Sequence, residues 1–198
     1  MIYSFTNKLT YEIPSKISSK VLDEMEEYCD SLNYKKAEVE LSGVNTKIRD
    51  NEVSFICWDE WISGIIHNMI MSANLSYFKY DLTYFDGKLQ SSVYTSDDVE
   101  SFYSWHVDNI NPFEYNQKLH ERKLSCSFML SDPNDYEGGE LQFVLPGKSF
   151  DFKPYFKSYK PERGSIVVFP SWLPHRVRPV KSGTRKSLVA WVHGPLFK

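Results

Sequence analysis

The chain has 198 residues and a formal net charge of −3, from 23 basic and 26 acidic side chains. Single domains commonly run to about 100–200 residues, so the length predicts one domain over residues 1–198. With 41% hydrophobic and 25% charged residues, the composition excludes a disordered or fibrous protein. The small net charge gives no electrostatic reason to expect nucleic acid or an anionic membrane as a partner.

The aromatic share is high, at 16%, and favours β-structure because rings pack well on pleated surfaces. Cys29, Cys57 and Cys126 are odd in number and widely spaced, which predicts reduced thiols in a cytoplasmic protein. The N-terminus lacks the continuous apolar segment of a signal peptide, and no stretch approaches the roughly 20 apolar residues of a membrane span.

Residues 1–74 are predicted to form a mainly helical flanking layer. Between residues 17 and 32, apolar side chains recur at three- and four-residue steps, which predicts a helix with one buried face and an acidic opposite face. A second helix is predicted over residues 59–72.

Residues 75–198 are predicted to form a β core, because short aromatic and β-branched runs alternate there with turn residues such as Asp86-Gly87 and Gly138-Gly139. Strands are predicted at residues 78–85, 88–95, 102–107, 124–130, 140–145, 164–169, 175–180 and 187–193. Helices do not alternate with these strands, so the fold is predicted as mainly β with N-terminal helices, a β-sandwich or jelly roll.

His106 and Asp108 are the first candidates for chemistry. In an extended strand, residues two apart point to the same face, so one imidazole and one carboxylate can be presented together. A lone pair of this kind is common, and a solvated Asp beside a histidine at a strand end is the alternative. His67, His120 and His193 are expected to be structural or solvated.

His175 and Arg185 are the second pair of candidates. His175 follows an apolar strand and a proline-rich turn, and Arg185 begins the run RKSLVAW. Because this run is otherwise hydrophobic, Arg185 is predicted to point into the barrel. An exposed Arg beside Lys186 is the alternative. Two histidines and one carboxylate form the facial triad that suits Fe(II) and leaves three coordination positions open. A dicarboxylate such as 2-oxoglutarate could occupy two of them, with its remote carboxylate on a buried cation.

These motifs together resemble the Fe(II)/2-oxoglutarate-dependent dioxygenases of the prolyl 4-hydroxylase type, and most closely the small microbial hydroxylases. The resemblance extends over residues 75–192 and rests on FYSWHVD, RKLSCSFMLSDPNDYEGGELQF and GSIVVFPSWLPHRVRPVKSGTRKSLVAW. It implies a double-stranded β-helix over residues 75–198 with iron between its two sheets.

The resemblance also implies roles for individual residues. The catalytic iron ligands would be His106, Asp108 and His175. The residues for the 2-oxoglutarate co-substrate would be Arg185, Ser187, Tyr94, Tyr103 and Trp191, although the three aromatic residues could equally be core residues. Met129 stands where some prolyl hydroxylases carry a co-substrate-binding Tyr, so a hydrogen bond must come from elsewhere.

The implied reaction uses O2 and 2-oxoglutarate, releases succinate and CO2, and hydroxylates an unactivated C–H bond, most readily that of a peptidyl proline. Whether ascorbate is also required stays open, as does the oligomeric state. The substrate groove would lie between the barrel mouth and a mobile loop. Residues 109–121 and residues 95–101 with Asp97 and Asp98 would be part of that loop, unless these are solvated connections. Three alternatives are a free amino acid or other small molecule as substrate, a nucleic-acid demethylase, and a non-catalytic metal-binding jelly roll. Trp191 stands where the demethylases carry a second Arg, which argues against that class.

Overall fold

The architecture is given by a computed structural model that describes residues 9–38, 43–96, 100–109, 112–147 and 153–197. Two β-sheets face each other, and two helices pack on the outside of the larger sheet. Neither helix in these ranges is long and apolar enough to cross a membrane. Asp97 and Asp98 lie outside the described residues.

Two helices form the outer layer, close to the predicted positions. Helix α1 (Ser19–Asp30) begins where the Ser18 side chain accepts a hydrogen bond from the Val21 backbone N–H. Helix α2 (Trp61–Ala73) continues into a π-helical turn at Asn74–Phe78. The apolar faces of both helices pack on the larger sheet, as the three- and four-residue spacing predicts.

The strands supply the rest of the fold. Within the described ranges they are β1 (Tyr11–Ile13), β2 (Lys35–Lys36), β3 (Arg49–Asp50), β4 (Glu52–Cys57), β5 (Tyr84–Phe85), β6 (Lys88–Tyr94), β7 (Phe102–His106), β8 (Phe113–Tyr115), β9 (Lys118–Met129), β10 (Tyr136–Gly138), β11 (Leu141–Leu145), β12 (Tyr155–Tyr159), β13 (Ile166–Pro170), β14 (His175–Val177), β15 (Val180–Gly183) and β16 (Arg185–Pro195).

The sheets have the topology of a double-stranded β-helix, as the sequence predicts. The large sheet runs β1-β13-β9-β16-β6-β4-β2, with β5 added on β16 and β8 on β9. The small sheet runs β12-β11-β14-β7-β3, and β10 pairs with β15 beside them. We call the side of the large sheet under the helices its outer face, and the side toward the small sheet its inner face.

The N-terminal segment contains more strand than the predicted helical layer. Four strands fall before residue 75, and β4 joins the large sheet by pairing with β6 from Glu52↔Val93 to Cys57↔Lys88. Strand β12 was also not predicted, because its sequence YFKSY does not alternate between apolar and polar residues and Phe156 is exposed.

The strand predicted at residues 78–85 is wrong except at Tyr84–Phe85. The Asn74 side chain accepts a hydrogen bond from the Tyr80 backbone N–H and donates one to the Tyr80 carbonyl, which fixes an irregular connection after the π-helical turn. Phe78, Tyr80 and Leu82 still pack on the outer core. The alternation of apolar and polar residues here therefore reflects burial of alternate side chains and not pairing in a sheet.

The acidic face of α1 forms ion pairs with basic side chains of the β core. Arg163 pairs with Asp23 at 2.8 Å and Glu26 at 2.7 Å, and Lys186 of β16 pairs with Asp30 at 2.7 Å. Lys186 thus points to the outer face, opposite to its neighbour Arg185, as the alternation of a strand requires.

Candidate active site

His106, Asp108 and His175 meet at one end of the small sheet. His106 ends β7 and is the direct antiparallel partner of His175, which begins β14. The Asp108 backbone N–H bonds to the Ser171 carbonyl at 2.8 Å, which holds the carboxylate beside both rings. His106 Nε2 lies 3.6 Å from Asp108 Oδ1, and His175 Nε2 lies 3.5 Å from Oδ2. All three ligand atoms lie within 4.8 Å of one another.

Both imidazoles are oriented by backbone carbonyls two residues before them in the chain. His106 Nδ1 lies 2.8 Å from the Ser104 carbonyl oxygen, and His175 Nδ1 lies 2.9 Å from the Leu173 carbonyl oxygen. A carbonyl can only accept, so in both rings Nδ1 carries a proton, and Nε2 is the atom that can offer a lone pair to a metal. Both lone pairs therefore face the space beside Asp108, as in histidines that bind metal through Nε2.

The protonation states also suit a cation. Burial and the neighbouring His175 lower the pKa of His106 to about 3, so its ring is neutral near pH 7. Burial alone would raise the pKa of Asp108, but the two histidines and a hydrogen bond from Ser125 Oγ at 2.8 Å lower it below its ordinary value. Two imidazole nitrogens and one carboxylate form a donor set that fits Fe(II) or a similar divalent ion.

The cysteines lie outside this cluster. All three are free thiols, and the described metal-binding group consists of the two histidines and Asp108 alone. Burial raises the pKa of Cys126 to about 12 and that of Cys29 to about 11, which keeps both protonated. Thiolate coordination therefore has no support here.

Arg185 is a buried cation close to the same site. Its side chain is 1% exposed, Nη1 donates to Ser187 Oγ at 2.8 Å, and Nη2 lies 3.5 Å from Ser127 Oγ. Its guanidinium carbon lies 5.3 Å from the Tyr94 ring centre. Among the described residues no carboxylate pairs with it. Because a buried unpaired charge is costly, the geometry calls for an anionic ligand.

One cavity of about 530 Å³ joins Arg185 to the His–Asp–His cluster, a size typical of small-molecule sites. All eight predicted site residues line it: Tyr94, Tyr103, His106, Asp108, His175, Arg185, Ser187 and Trp191. The prediction that Arg185 points inward is thus correct, and the alternative of an exposed Arg is wrong.

The predicted aromatic residues occupy distinct positions around the cluster. Tyr103 stacks on the His106 imidazole with ring centres 3.6 Å apart, and the Arg49 guanidinium lies 4.5 Å from the centre of the Tyr103 ring. The Arg122 guanidinium carbon lies 4.1 Å from the centre of the Trp191 ring. Tyr103 therefore fixes the plane of one candidate ligand.

The expectation of a solvated His120 is wrong. His120 is buried in β9, with Nε2 3.2 Å from Thr83 Oγ1, rather than solvated in a loop. His193 lines the cavity, and burial lowers its pKa to about 4. His67 packs against Phe85 and is not among the described cavity residues, in agreement with a structural role.

Residues 109–121 also differ from the expected loop. Apart from residues 110–111, which are not described, this segment contains β8, a tight turn and the start of β9. The turn residues Asn116 and Gln117 have φ of 50° and 60°, a left-handed conformation that Asn adopts more readily than most residues.

Several site residues were not found by sequence reasoning. Ser125 holds Asp108, and Arg122 pairs with Asp86 at 2.9 Å at the cavity end near His193. A signal existed for Ser125: in LSCSFM, polar and apolar residues alternate, so the serines share one face of β9. The Asp86–Arg122 pair joins residues far apart in sequence and had no such signal.

Comparisons with known proteins agree with this geometry. The family model of the 2OG-Fe(II) oxygenase superfamily matches residues 89–193, more than half of the chain. A PKHD-type hydroxylase of Synechococcus sp. strain CC9902 is 38% identical over 105 residues, which cover 53% of this chain and 42% of that relative. The chain thus matches less than half the length of this curated relative.

Two solved structures share the fold. The prolyl-4-hydroxylase of Pseudomonas putida superimposes with a TM-score of 0.65 at 20% identity, over 92% of this chain and 91% of that one. The Trichoplax adhaerens prolyl hydroxylase, solved with a hypoxia inducible factor peptide, gives a TM-score of 0.70 at 18% identity, over 94% and 84% of the two chains. From its fold and its family match, this chain belongs to the 2OG-Fe(II) oxygenase superfamily.

Proposed function

We propose that this protein is an Fe(II)- and 2-oxoglutarate-dependent dioxygenase that hydroxylates an unactivated C–H bond. The observation that carries the proposal is Arg185, a buried guanidinium with no carboxylate partner among the described residues, in the same cavity as the His–Asp–His cluster. A metal site alone has no use for this cation, whereas a bound dicarboxylate requires one.

The metal would be held by His106 Nε2, His175 Nε2 and a carboxylate oxygen of Asp108. The carbonyls of Ser104 and Leu173 fix the rings, and Ser125 fixes the carboxylate. When bound, Fe(II) supplies the oxygen chemistry that couples decarboxylation of 2-oxoglutarate to hydroxylation of the substrate, with succinate and CO2 as co-products.

The 2-oxoglutarate would lie between the metal and Arg185. Ser187 already bonds to Nη1 of Arg185 and lines the cavity, so its hydroxyl can contact the same carboxylate. Tyr94 is the antiparallel partner of Arg185 and forms the adjoining wall. Met129 lies 3.5 Å from Arg185 Nη2 but offers no proton to donate.

The substrate would enter at the opposite end of the cavity. Phe113 and Trp191 provide aromatic walls there, and Arg122, Asp86 and His193 provide polar groups. This combination suits a peptidyl proline, whose ring is apolar and whose flanking carbonyls accept hydrogen bonds. The peptide bound to the Trichoplax enzyme supports the same substrate class.

We further propose that residues 1–198 act as one dioxygenase domain, with residues 1–74 as a flanking layer and residues 75–198 as the core. The buried thiols of Cys29 and Cys126 suit the reducing cytoplasm.

The test measures formation of succinate from 2-oxoglutarate in the presence of Fe(II) and O2. Three candidate substrates are added in turn: proline-containing peptides, the same peptides with Pro replaced by Ala, and free proline. Mass spectrometry then detects any hydroxylation of each substrate. We expect succinate formation that proline peptides stimulate, and a mass increase of one oxygen on proline. His175→Ala should abolish turnover, while the matched variant His67→Ala should retain it because His67 is not among the described residues that line the cavity.

Absence of succinate under every condition would overturn the proposed enzyme. Turnover with free proline but not with peptides would assign a small-molecule substrate instead.

A further inference from the structure

The hydrogen bonding of Arg185 is incomplete on one side. Nη1 donates to Ser187, and Nη2 lies near Ser127 and Met129, but Nε is buried and has no hydrogen-bond partner among the described residues. A carboxylate that takes one N–H from each terminal nitrogen still leaves the Nε–H without an acceptor. A buried N–H without an acceptor is costly, so a partner for Nε is expected.

Tyr136 has the complementary deficiency. Its side chain is 3% exposed, and its hydroxyl is buried with no hydrogen-bond partner in the described part of the chain. A phenol hydroxyl can accept a hydrogen bond as well as donate one. Tyr136 begins β10, within the sequence DYEGGEL, and was not among the residues predicted from sequence.

The turn after β10 brings the two side chains together. Gly139 has φ of +64°, and a Cβ placed there would lie 3.0 Å from Arg185 Cδ and 3.1 Å from Tyr136 Cε2. Arg185 and Tyr136 therefore approach each other across a position where only glycine leaves room. This explains why the turn carries Gly at residue 139.

Tyr136 is held in this position from its other side. Lys160 Nζ lies 4.4 Å from the centre of the Tyr136 ring and donates to the Tyr136 carbonyl at 2.6 Å. Burial raises the pKa of Tyr136, while the positive charge of Arg185 is the strongest influence that lowers it. The phenol is therefore neutral, and it lies close enough to Arg185 for the guanidinium charge to act on its pKa.

We propose that Tyr136 is the positioning residue of Arg185: its hydroxyl accepts the Nε–H, so that both terminal nitrogens are directed at the distal carboxylate of the dicarboxylate. Tyr136 is not among the described residues that line the cavity, so it acts through Arg185 and not on the ligand. The inference rests on the proposed function.

The test is calorimetric titration of the Fe(II) protein with 2-oxoglutarate in the absence of O2. Tyr136→Phe leaves the Nε–H unsatisfied, so we expect about tenfold weaker binding of 2-oxoglutarate. Binding of 2-oxobutanoate, which has no distal carboxylate, should not change. The matched control is Tyr159→Phe, which removes a hydroxyl from the same inner core but one that bonds to Thr10.

A second arm separates positioning from a general packing effect. Lys has no Nε–H to satisfy, so Tyr136→Phe in an Arg185→Lys background should weaken 2-oxoglutarate binding by less than twofold further. If the tenfold effect persisted in that background, or if Tyr136→Phe weakened 2-oxobutanoate binding equally, the positioning role would be overturned.

Failure of this inference and failure of the proposed function give different results. Unchanged 2-oxoglutarate affinity in folded Tyr136→Phe would overturn the role of Tyr136 alone. A wild-type protein that does not bind 2-oxoglutarate at all would overturn both.

Discussion

The two faces of the large sheet carry different kinds of residue, although the same strands supply both. On the outer face, β16 places Leu188, Ala190 and Val192 in an apolar core with the two helices. On the inner face, the alternate residues include Arg185 and Ser187, which are just as buried but polar. Strand alternation therefore separates residues that stabilise the fold from residues that hold ligands, one position apart.

The difference matters because burial has opposite meanings on the two faces. Burial of a leucine stabilises the folded state. Burial of a guanidinium removes its hydration, and hydrogen-bonded or charged partners must replace the interactions lost with water. The polar residues of the inner face are therefore compensated by apolar packing in the outer core and in the inner core. Substitutions at neighbouring positions of β16 test whether the two faces have these separate roles.

The largest expected effect on folding comes from Leu188→Ala on the outer face. Leu188 is fully buried against the helices, so the free energy of unfolding should fall by about 2–5 kcal/mol. Affinity for 2-oxoglutarate should stay within about twofold. Urea denaturation and calorimetry measure the two quantities. A large loss of affinity in the folded variant would show that the two faces are not independent.

On the inner face, Arg185→Ala should have the opposite profile. Binding of 2-oxoglutarate should weaken by about 100-fold, corresponding to about 3 kcal/mol for a broken buried charge pair. Metal affinity should hardly change, because the three candidate ligands are untouched. Arg185→Lys should be intermediate, since it keeps the charge but loses the planar fork.

Lys186, the neighbour of Arg185 on the outer face, is the position of the matched control. Its ammonium bonds to Asp30 and Glu26 of α1, so Lys186→Gln should reduce stability slightly while leaving 2-oxoglutarate affinity unchanged. Equal 2-oxoglutarate affinities for Arg185→Ala and Lys186→Gln would remove the co-substrate assignment and leave only a metal site.

A smaller effect is expected from Ser125→Ala. Ser125 donates to Asp108 and contacts Ser171, so its loss should weaken Fe(II) or Mn(II) binding by about tenfold, as for other residues that orient metal ligands. Ser127→Ala, two residues along the same face, should leave metal affinity unchanged because it does not contact Asp108. Metal titrations of the two variants compare them directly, and equal metal affinities would contradict this role.

The last expected effect concerns His193 and the pH dependence of stability. Burial lowers its pKa to about 4, with Arg122 and His120 acting in the same direction and Asp86 opposing them. The unfolded chain then binds more protons below pH 6.5, so the free energy of unfolding should fall as pH drops, by up to about 2 kcal/mol at pH 5. His193→Asn should reduce this dependence. Equal pH slopes for the two proteins, measured by urea denaturation, would contradict it.

Features that a regular local sequence pattern marks could be predicted, whereas features that depend on contacts between distant residues could not. Helix periodicity and strand alternation located α1, α2 and most core strands, because a buried face leaves a regular local pattern. The connection at residues 79–83 has the same alternation without a sheet partner, since Asn74 fixes it through hydrogen bonds that no local pattern reveals.

In the site, the cluster of His106, Asp108 and His175 could be predicted because a short motif and a family resemblance mark it. Tyr136 could not, because its importance depends on two unsatisfied atoms meeting across Gly139. Likewise, the burial of His120 depends on Thr83 and Tyr84, which are far away in the sequence.

The central claim is that one metal and one dicarboxylate share the cavity between His106, Asp108, His175 and Arg185. Anaerobic equilibrium dialysis of 2-oxoglutarate against the protein, with and without Fe(II), tests it most directly. The account predicts one 2-oxoglutarate per chain, bound tightly only when Fe(II) is present, and lost in both His175→Ala and Arg185→Ala. Equally tight binding without metal, or in either variant, would contradict it.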